Sequence, residues 1–308
     1  MLSLWLMRVS HHPDYSIRLP DGHPFPMSKY ALLRQILLER EVLAAGDICE
    51  PQEAALPLLG LVHAPQYLDK LALGGLTLIE QRRLGVPWSA HLWRRSRLAV
   101  QGTLDAARRA LSEGLSGNLA GGTHHAFADH GEGFCVLNDV AVAIRALQAD
   151  RAIERTLVVD LDVHHGNGTA AIFAGDPSVF TFSMHGERNY PTEKPPSTLD
   201  VALRDGTSDA EYLALLDSSL ERIRGGFRAD LVFYLAGVDV AAGDRYGRLA
   251  LSDDGIRARD RRVLEMARAA GLPLVLTMAG GYAASPRRTA ELHAIAFEQA
   301  AAAVRGPS

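Results

Sequence analysis

Two cysteines in 308 residues, Cys49 and Cys135, are too few for a disulfide framework or a thiolate metal cluster. Both are expected as reduced thiols packed as small apolar groups. No apolar run approaches the ~20 residues of a membrane span, and Leu2 to Met7 is too short and too poorly flanked for a signal peptide. Neither sign of charge dominates, since 32 Lys+Arg stand against 36 Asp+Glu for a net charge of −4. No Lys/Arg tract offers the electrostatic footprint of a nucleic-acid binder. Pro/Ser-rich linkers, internal repeats and low-complexity tracts are missing too, and the proline-dense stretch Tyr190 to Ser197 is loop-sized. What is present, 47% hydrophobic and 22% charged residues, excludes disordered, coiled-coil and collagen-like classes. The expectation is one soluble domain over 1–308, cytoplasmic, with neither nucleic acid nor membrane as partner.

Four stretches have the continuous apolar character of strands buried on both faces: Thr156 to Leu161, Val179 to Phe182, Leu231 to Leu235 and Leu274 to Met278. Amphipathic patterns predict helices over Leu98 to Leu111, Asp139 to Leu147, Asp209 to Ile223, Asp254 to Ala269 and Thr289 to Val304. Alternating strands and helices imply a parallel sheet with helices on both faces. Ligands of such sheets bind outside the carboxyl ends of the strands. Polar clusters fall there: Asp160-Leu-Asp-Val-His-His165, Ser183-Met-His185, Gly237-Val-Asp239 and Ala279-Gly-Gly-Tyr282.

Asp162 and His164 are two residues apart, so a persisting strand would send both side chains to one face. Asp239, closing another strand, would complete a carboxylate–imidazole–carboxylate set with a position left for water, as a catalytic Zn²⁺ uses. The competing reading is an Asp/His pair capping the next helix. Asp160, Asp162, His164 and His165 within six residues, followed by Gly166-Asn-Gly168, exceed what packing needs. His124 and His125 lie between Gly121-Gly-Thr and Gly131-Glu-Gly, which lets backbone approach a ligand and suits proton transfer, although histidine pairs at surfaces are commonly solvated and inert. His11-His12, without such surroundings, is assigned to that inert class. Tyr282 could offer its phenol to an oxyanion or be a packing residue, and Phe134 could be core or the wall of an apolar channel.

These motifs, in this order, resemble the zinc-dependent histone deacetylase superfamily of the arginase/deacetylase fold, closest to its class IV and bacterial members. The carrying residues are His23-Pro-Phe25 with Lys29, Gly121-Gly-Thr-His-His125, Gly131-Glu-Gly-Phe-Cys135 with Asn138-Asp139, Asp160 to Gly168, Ser183-Met-His185, Gly237-Val-Asp239 with Gly243-Asp-Arg245, and Gly280-Gly-Tyr282. The resemblance implies a three-layer α/β/α fold around a mainly parallel sheet. It implies one Zn²⁺ per chain on Asp162, His164 and Asp239, with His124 and His125 as tandem histidines partnered by Asp160 and Asn167. Tyr282 would polarise the carbonyl, Gly133, Phe134 and Gly280 would line the acyl tunnel, and Lys29 would line an acid-release channel. A structural K⁺ is implied on backbone oxygens of Asp160, Asp162, His164 and Met184 and side chains of Asp162 and Ser183. The implied activity is hydrolysis of an acylated amine such as acetyl-lysine, with fatty-acyl-lysine or acetylpolyamine as alternatives and an inactive metal-stabilised binding protein as the distant one.

Two positions depart from the family pattern. The region Glu80 to Trp88 shows no secure counterpart of the acidic tunnel-mouth residue, and Tyr190 is the sole aromatic in the segment Gly186 to Pro191 where a second tunnel aromatic is due. The arginase-like branch is disfavoured, because Gly166 and Gly237 replace carboxylates that would bridge a second metal.

Overall fold

The structure, a computed structural model, describes residues 6–305, so most of Leu2 to Met7 lies outside the described residues. Eight strands form one sheet: β1 (Leu6–Ser10), β2 (Ile48–Cys49), β3 (Gly114–Asn118), β4 (Thr156–Asp160), β5 (Val179–Gly186), β6 (Leu199–Leu203), β7 (Leu231–Leu235) and β8 (Leu274–Thr277). Their order is β2-β1-β3-β8-β7-β4-β5-β6, and every pairing is parallel. The helices are α1 (Lys29–Glu39), α2 (Leu56–Leu59), α3 (Pro65–Leu73), α4 (Leu78–Leu84), α5 (Ala90–Glu113), α6 (Asp139–Ala149), α7 (Asn167–Ile172), α8 (Asp209–Gly226), α9 (Asp253–Ala269) and α10 (Pro286–Arg305).

β4 and β7 are buried at every residue, as strands covered on both faces must be. Successive side chains alternate between the faces. Leu157, Val159, Val232, Tyr234 and Leu276 pack with α1, α8, α9 and α10. Val158, Leu231, Phe233, Leu235 and Val275 pack with α5 and α6. This is the three-layer α/β/α arrangement. A third apolar cluster, including Tyr67, Leu71, Leu84 and Leu92, docks α3 and α4 on α5.

The four expected strands are present, Leu231 to Leu235 with the ends expected and the other three with a shifted end. The first stops at Asp160, and the second runs on to Gly186, so Ser183 to His185 lie within β5 instead of following it. β1, β2, β3 and β6 were not expected. β3 reads Gly-Leu-Ser-Gly-Asn, with no apolar run, and is a strand because β1 and β8 flank it. The five expected helices are present, with α5 starting earlier, at Ala90. Because the sheet is parallel, the polar ends of β4, β5, β7 and β8 share one edge.

Candidate active site

The chain turns after Asp160, so Asp162 and His164 are brought together by that turn, contrary to the expected strand alternation. Asp162 Oδ1 accepts a hydrogen bond from the His164 amide at 2.9 Å and lies 3.0 Å from its Nδ1. Asp239, beyond the end of β7, places Oδ2 3.2 Å from the same Nδ1. One donor atom from each residue lies within 4.8 Å of the others. Backbone amides hold the carboxylates in place: Gly280 donates to Asp162 Oδ2 at 2.6 Å and Val163 to Asp239 Oδ1 at 2.9 Å. A Cβ on Gly280 would collide with Asp239 Oδ2, which explains the glycine.

Burial, then the Asp162 charge, raises Asp239 to about 6. Burial opposes charging of His164, but Asp162 and Asp239 outweigh it and raise the imidazole to about 10. The cluster therefore attracts positive charge, and Asp239 Oδ2 is buried without a hydrogen-bond partner. An orphaned carboxylate oxygen among two carboxylates and an imidazole fits a divalent cation of the zinc type.

The His124-His125 loop is pinned from α6. Asp139 accepts hydrogen bonds from the amides of Gly122 (3.1 Å) and Thr123 (2.8 Å) and from Thr103 Oγ1 (2.6 Å). His124 Nδ1 lies 2.6 Å from Asp160 Oδ2, and His125 Nδ1 lies 2.7 Å from Asn167 Oδ1. Gly133, with φ +55°, abuts the His125 ring so closely that a Cβ would collide with it.

His124, His125, Gly133, Asp162, His164 and Gly280 line a cavity of about 390 Å³ walled by Phe25, Phe134, Tyr190, Tyr246 and Tyr282. The Tyr282 ring is 6.0 Å from those of Phe25 and Phe134 and 4.9 Å from Tyr246. Burial and the nearby Asp239 and Asp162 charges push its phenol well above its ordinary value, so it keeps its proton. Lys29 is fully buried behind it, donating to the Ala279 carbonyl at 3.1 Å, and burial lowers its ammonium to about 8 despite Asp239 and Asp162.

Residues 23–298 match the sequence profile of the histone deacetylase domain. The chain belongs to the histone deacetylase family. It is 48% identical over 275 residues to an uncharacterized protein of Picosynechococcus, covering 89% of this chain and 92% of that one. It is 33% identical over 283 residues to histone deacetylase 2 of Arabidopsis thaliana, covering 86% and 71%. A histone deacetylase homologue from Aquifex aeolicus superposes with a TM-score of 0.80 at 24% identity over 94% of this chain and 82% of that one, which shows the shared fold. Family membership supports a deacetylase acting on an acylated amine.

The deacetylase fold also separates residues that the sequence grouped. His165 faces away from the Asp162, His164 and Asp239 cluster, its Nε2 3.1 Å from Asp200 and 3.2 Å from Ser197. Ser183 Oγ lies 3.0 Å from His185 Nδ1, on β5 beside Asp160 in register. The expected surface placement of the His11-His12 pair is corrected for His11, which is buried against Tyr15, while His12 is half-buried and its Nδ1 accepts from the Asp14 amide at 3.0 Å. Cys135 is buried, Cys49 is half-buried, and both are free. Among the described residues no helix is long and apolar enough to cross a membrane.

Sequence reasoning assigned no role to Asp139, Glu132 or the arginines at the cavity mouth. Glu80 is spent on capping α4, accepting from Thr77 and Lys70, while Arg83, Arg188 and Arg248 line the cavity. Asp162 is the sole carboxylate among the lining residues.

Proposed function

We propose that the chain, acting as a single catalytic domain in the cytoplasm, is a zinc-dependent amidohydrolase that removes an acyl group, acetyl in the first instance, from a lysine side chain or a comparable amine. The observation that carries this reading is the meeting of Asp162, His164 and Asp239 beside the paired His124 and His125, with Asp162, His164 and both histidines lining an aromatic-walled cavity. Asp162, His164 and Asp239 would hold Zn²⁺, which when bound supplies Lewis-acid polarisation of the amide carbonyl and a lowered pKa for water.

The protein's own groups supply the rest. His125, held neutral by burial and by the neighbouring His124 charge, accepts a proton from the attacking water. Its partner Asn167 holds Nδ1, leaving Nε2 to take that proton and pass it to the leaving amine. Burial disfavours charge on His124, but Asp160 and Asp162 raise it to about 9, so it stands as a fixed positive charge beside the reacting centre. Tyr282 donates its hydroxyl proton in a hydrogen bond to the oxyanion. Gly133, Phe134 and Gly280 shape the acyl tunnel, with Tyr190 as a second aromatic wall, and Lys29 lies along the exit for the released acid. A K⁺ between β4 and β5 would buttress the loop carrying Asp162 and His164 through Asp160, Ser183 and Met184.

Zinc-loaded protein should be assayed against acetyl-lysine peptides, fatty-acyl-lysine peptides and acetylpolyamines. Release of acetate from the peptide is expected. Zinc binding without turnover of any of the three would favour a metal-stabilised binding protein instead.

A further inference from the structure

Glu132 begins a tight turn closed by the Cys135 amide, which donates to the Glu132 carbonyl at 2.8 Å. The two central residues, Gly133 and Phe134, have φ of +55° and +68°, the pattern of a type I′ turn. The turn sets Glu132 between two other segments: its Oε1 accepts from Asn167 Nδ2 at 2.5 Å and from the Tyr190 hydroxyl at 2.8 Å. His130 Nε2 lies 3.6 Å from Oε2. Burial opposes the charge, but the bonds from His130, Tyr190 and Asn167 hold the carboxyl below its ordinary range, so it is anionic.

We propose that Glu132 is a positioning residue of the hydrolytic site, fixing the Asn167 amide in one orientation and thereby holding His125 with its proton on Nδ1. An amide has two unlike ends, an oxygen that only accepts and an NH₂ that only donates. A carboxylate on one side can be met only by the NH₂. The Asn167 oxygen must therefore face His125, which must present Nδ1–H and leave the Nε2 lone pair free. An aspartate in place of Asn167 would instead set two carboxylates oxygen to oxygen, and one would have to take a proton or withdraw. Glu132 thus accounts for the amide at this position. The same carboxylate ties down Tyr190, whose ring centroid is 5.0 Å from that of His125, so the orienter of the base and one cavity wall share an anchor.

This inference rests on the hydrolase reading and deepens it. The test is a double-mutant cycle in the zinc-loaded full chain, using Asn167→Asp, Glu132→Gln and their combination, read by kcat, KM, zinc content and thermal melting. Asn167→Asp should cost about tenfold or more in kcat, the usual scale for groups that orient a catalytic residue, and should lower Tm. Adding Glu132→Gln should restore most of both, because the clash is gone and the introduced glutamine amide can donate to the introduced carboxylate. Glu132→Gln alone replaces the purely accepting partner with an amide that can meet either end of Asn167, so it should lower kcat, though by less than Asn167→Asp does, and Glu132→Ala should lose kcat and raise KM together. Tyr190→Phe should raise KM with little change in kcat. If Asn167→Asp loses the same factor and the same Tm in both backgrounds, the proposal is overturned. Should the parent turn over no acyl amide, the hydrolase reading fails, while the Tm cycle still decides whether Glu132 and Asn167 are coupled.

Discussion

His124 and His125 lie with ring centroids 4.1 Å apart, yet the fold drives their proton affinities in opposite directions. Burial disfavours charge on both, but His124 leans on the Asp160 carboxylate and His125 on the Asn167 amide. A carboxylate repays the cost of charging an imidazole and an amide does not. Adjacent residues thereby become a fixed cation and a free base.

That split has a consequence for stability in the metal-free protein. His124 is raised from 6.5 to about 9, so its contribution is fully present below pH 6.5 and is lost as pH rises through about 9. His164, raised to about 10, adds a loss of the same sign at higher pH. The lowered His125 and Lys29 titrate with the opposite sign, so the His124 contribution is read as the difference in denaturant midpoint between the parent and Asp160→Asn at pH 6, 7.5 and 9, roughly spanning this window. The advantage of the parent over Asp160→Asn should shrink as pH rises, and a difference that does not change with pH would remove Asp160 as the cause.

Metal content should be one transition-metal ion per chain at the Asp162, His164 and Asp239 cluster. Asp162→Ala and Asp239→Ala should each abolish metal retention and turnover. Gly280→Ala, whose Cβ would collide with Asp239 Oδ2, should weaken metal binding although it adds only one methyl group. Elemental analysis settles the stoichiometry, and two ions at this cluster would contradict the single-metal reading. A hydroxamate, able to place two oxygens on the ion, should inhibit.

Tyr282→Phe should keep the fold and the metal while kcat falls about 10²–10³-fold, the loss seen when one oxyanion donor is removed, or roughly 3–4 kcal/mol. The change in KM should be smaller. Turnover within about threefold of the parent, on that same scale, would reduce Tyr282 to a packing residue.

The cavity mouth is basic: Arg83 is exposed, and Arg188 and Arg248 share Asp205 at 3.9 and 3.3 Å. Acyl-lysine peptides with acidic flanks should bind more tightly than those with basic flanks, by a few-fold at low salt, and the preference should fade as salt rises. Arg83→Glu should reduce the preference through KM and leave kcat unchanged, and equal KM values for both peptides in the parent would refute it.

The class of fold and most of the strand-end residues are legible in the order of amino acids. β4, β5, β7 and β8 stand out because strands covered on both faces must be apolar throughout, and a parallel sheet puts their polar ends on one edge. Asp162, His164, Asp239 and Tyr282 follow from that placement. Contacts between distant segments belong to the packed molecule instead. β3 has no apolar pattern of its own and exists by pairing with β1 and β8. Glu132 meets Asn167 and Tyr190 across 35 and 58 residues of chain. Lys29 reaches the carbonyl of Ala279 across 250. No local periodicity encodes such meetings, because each depends on where a loop lands after the sheet has set its ends, and that is a property of the packed layers rather than of any one stretch of sequence.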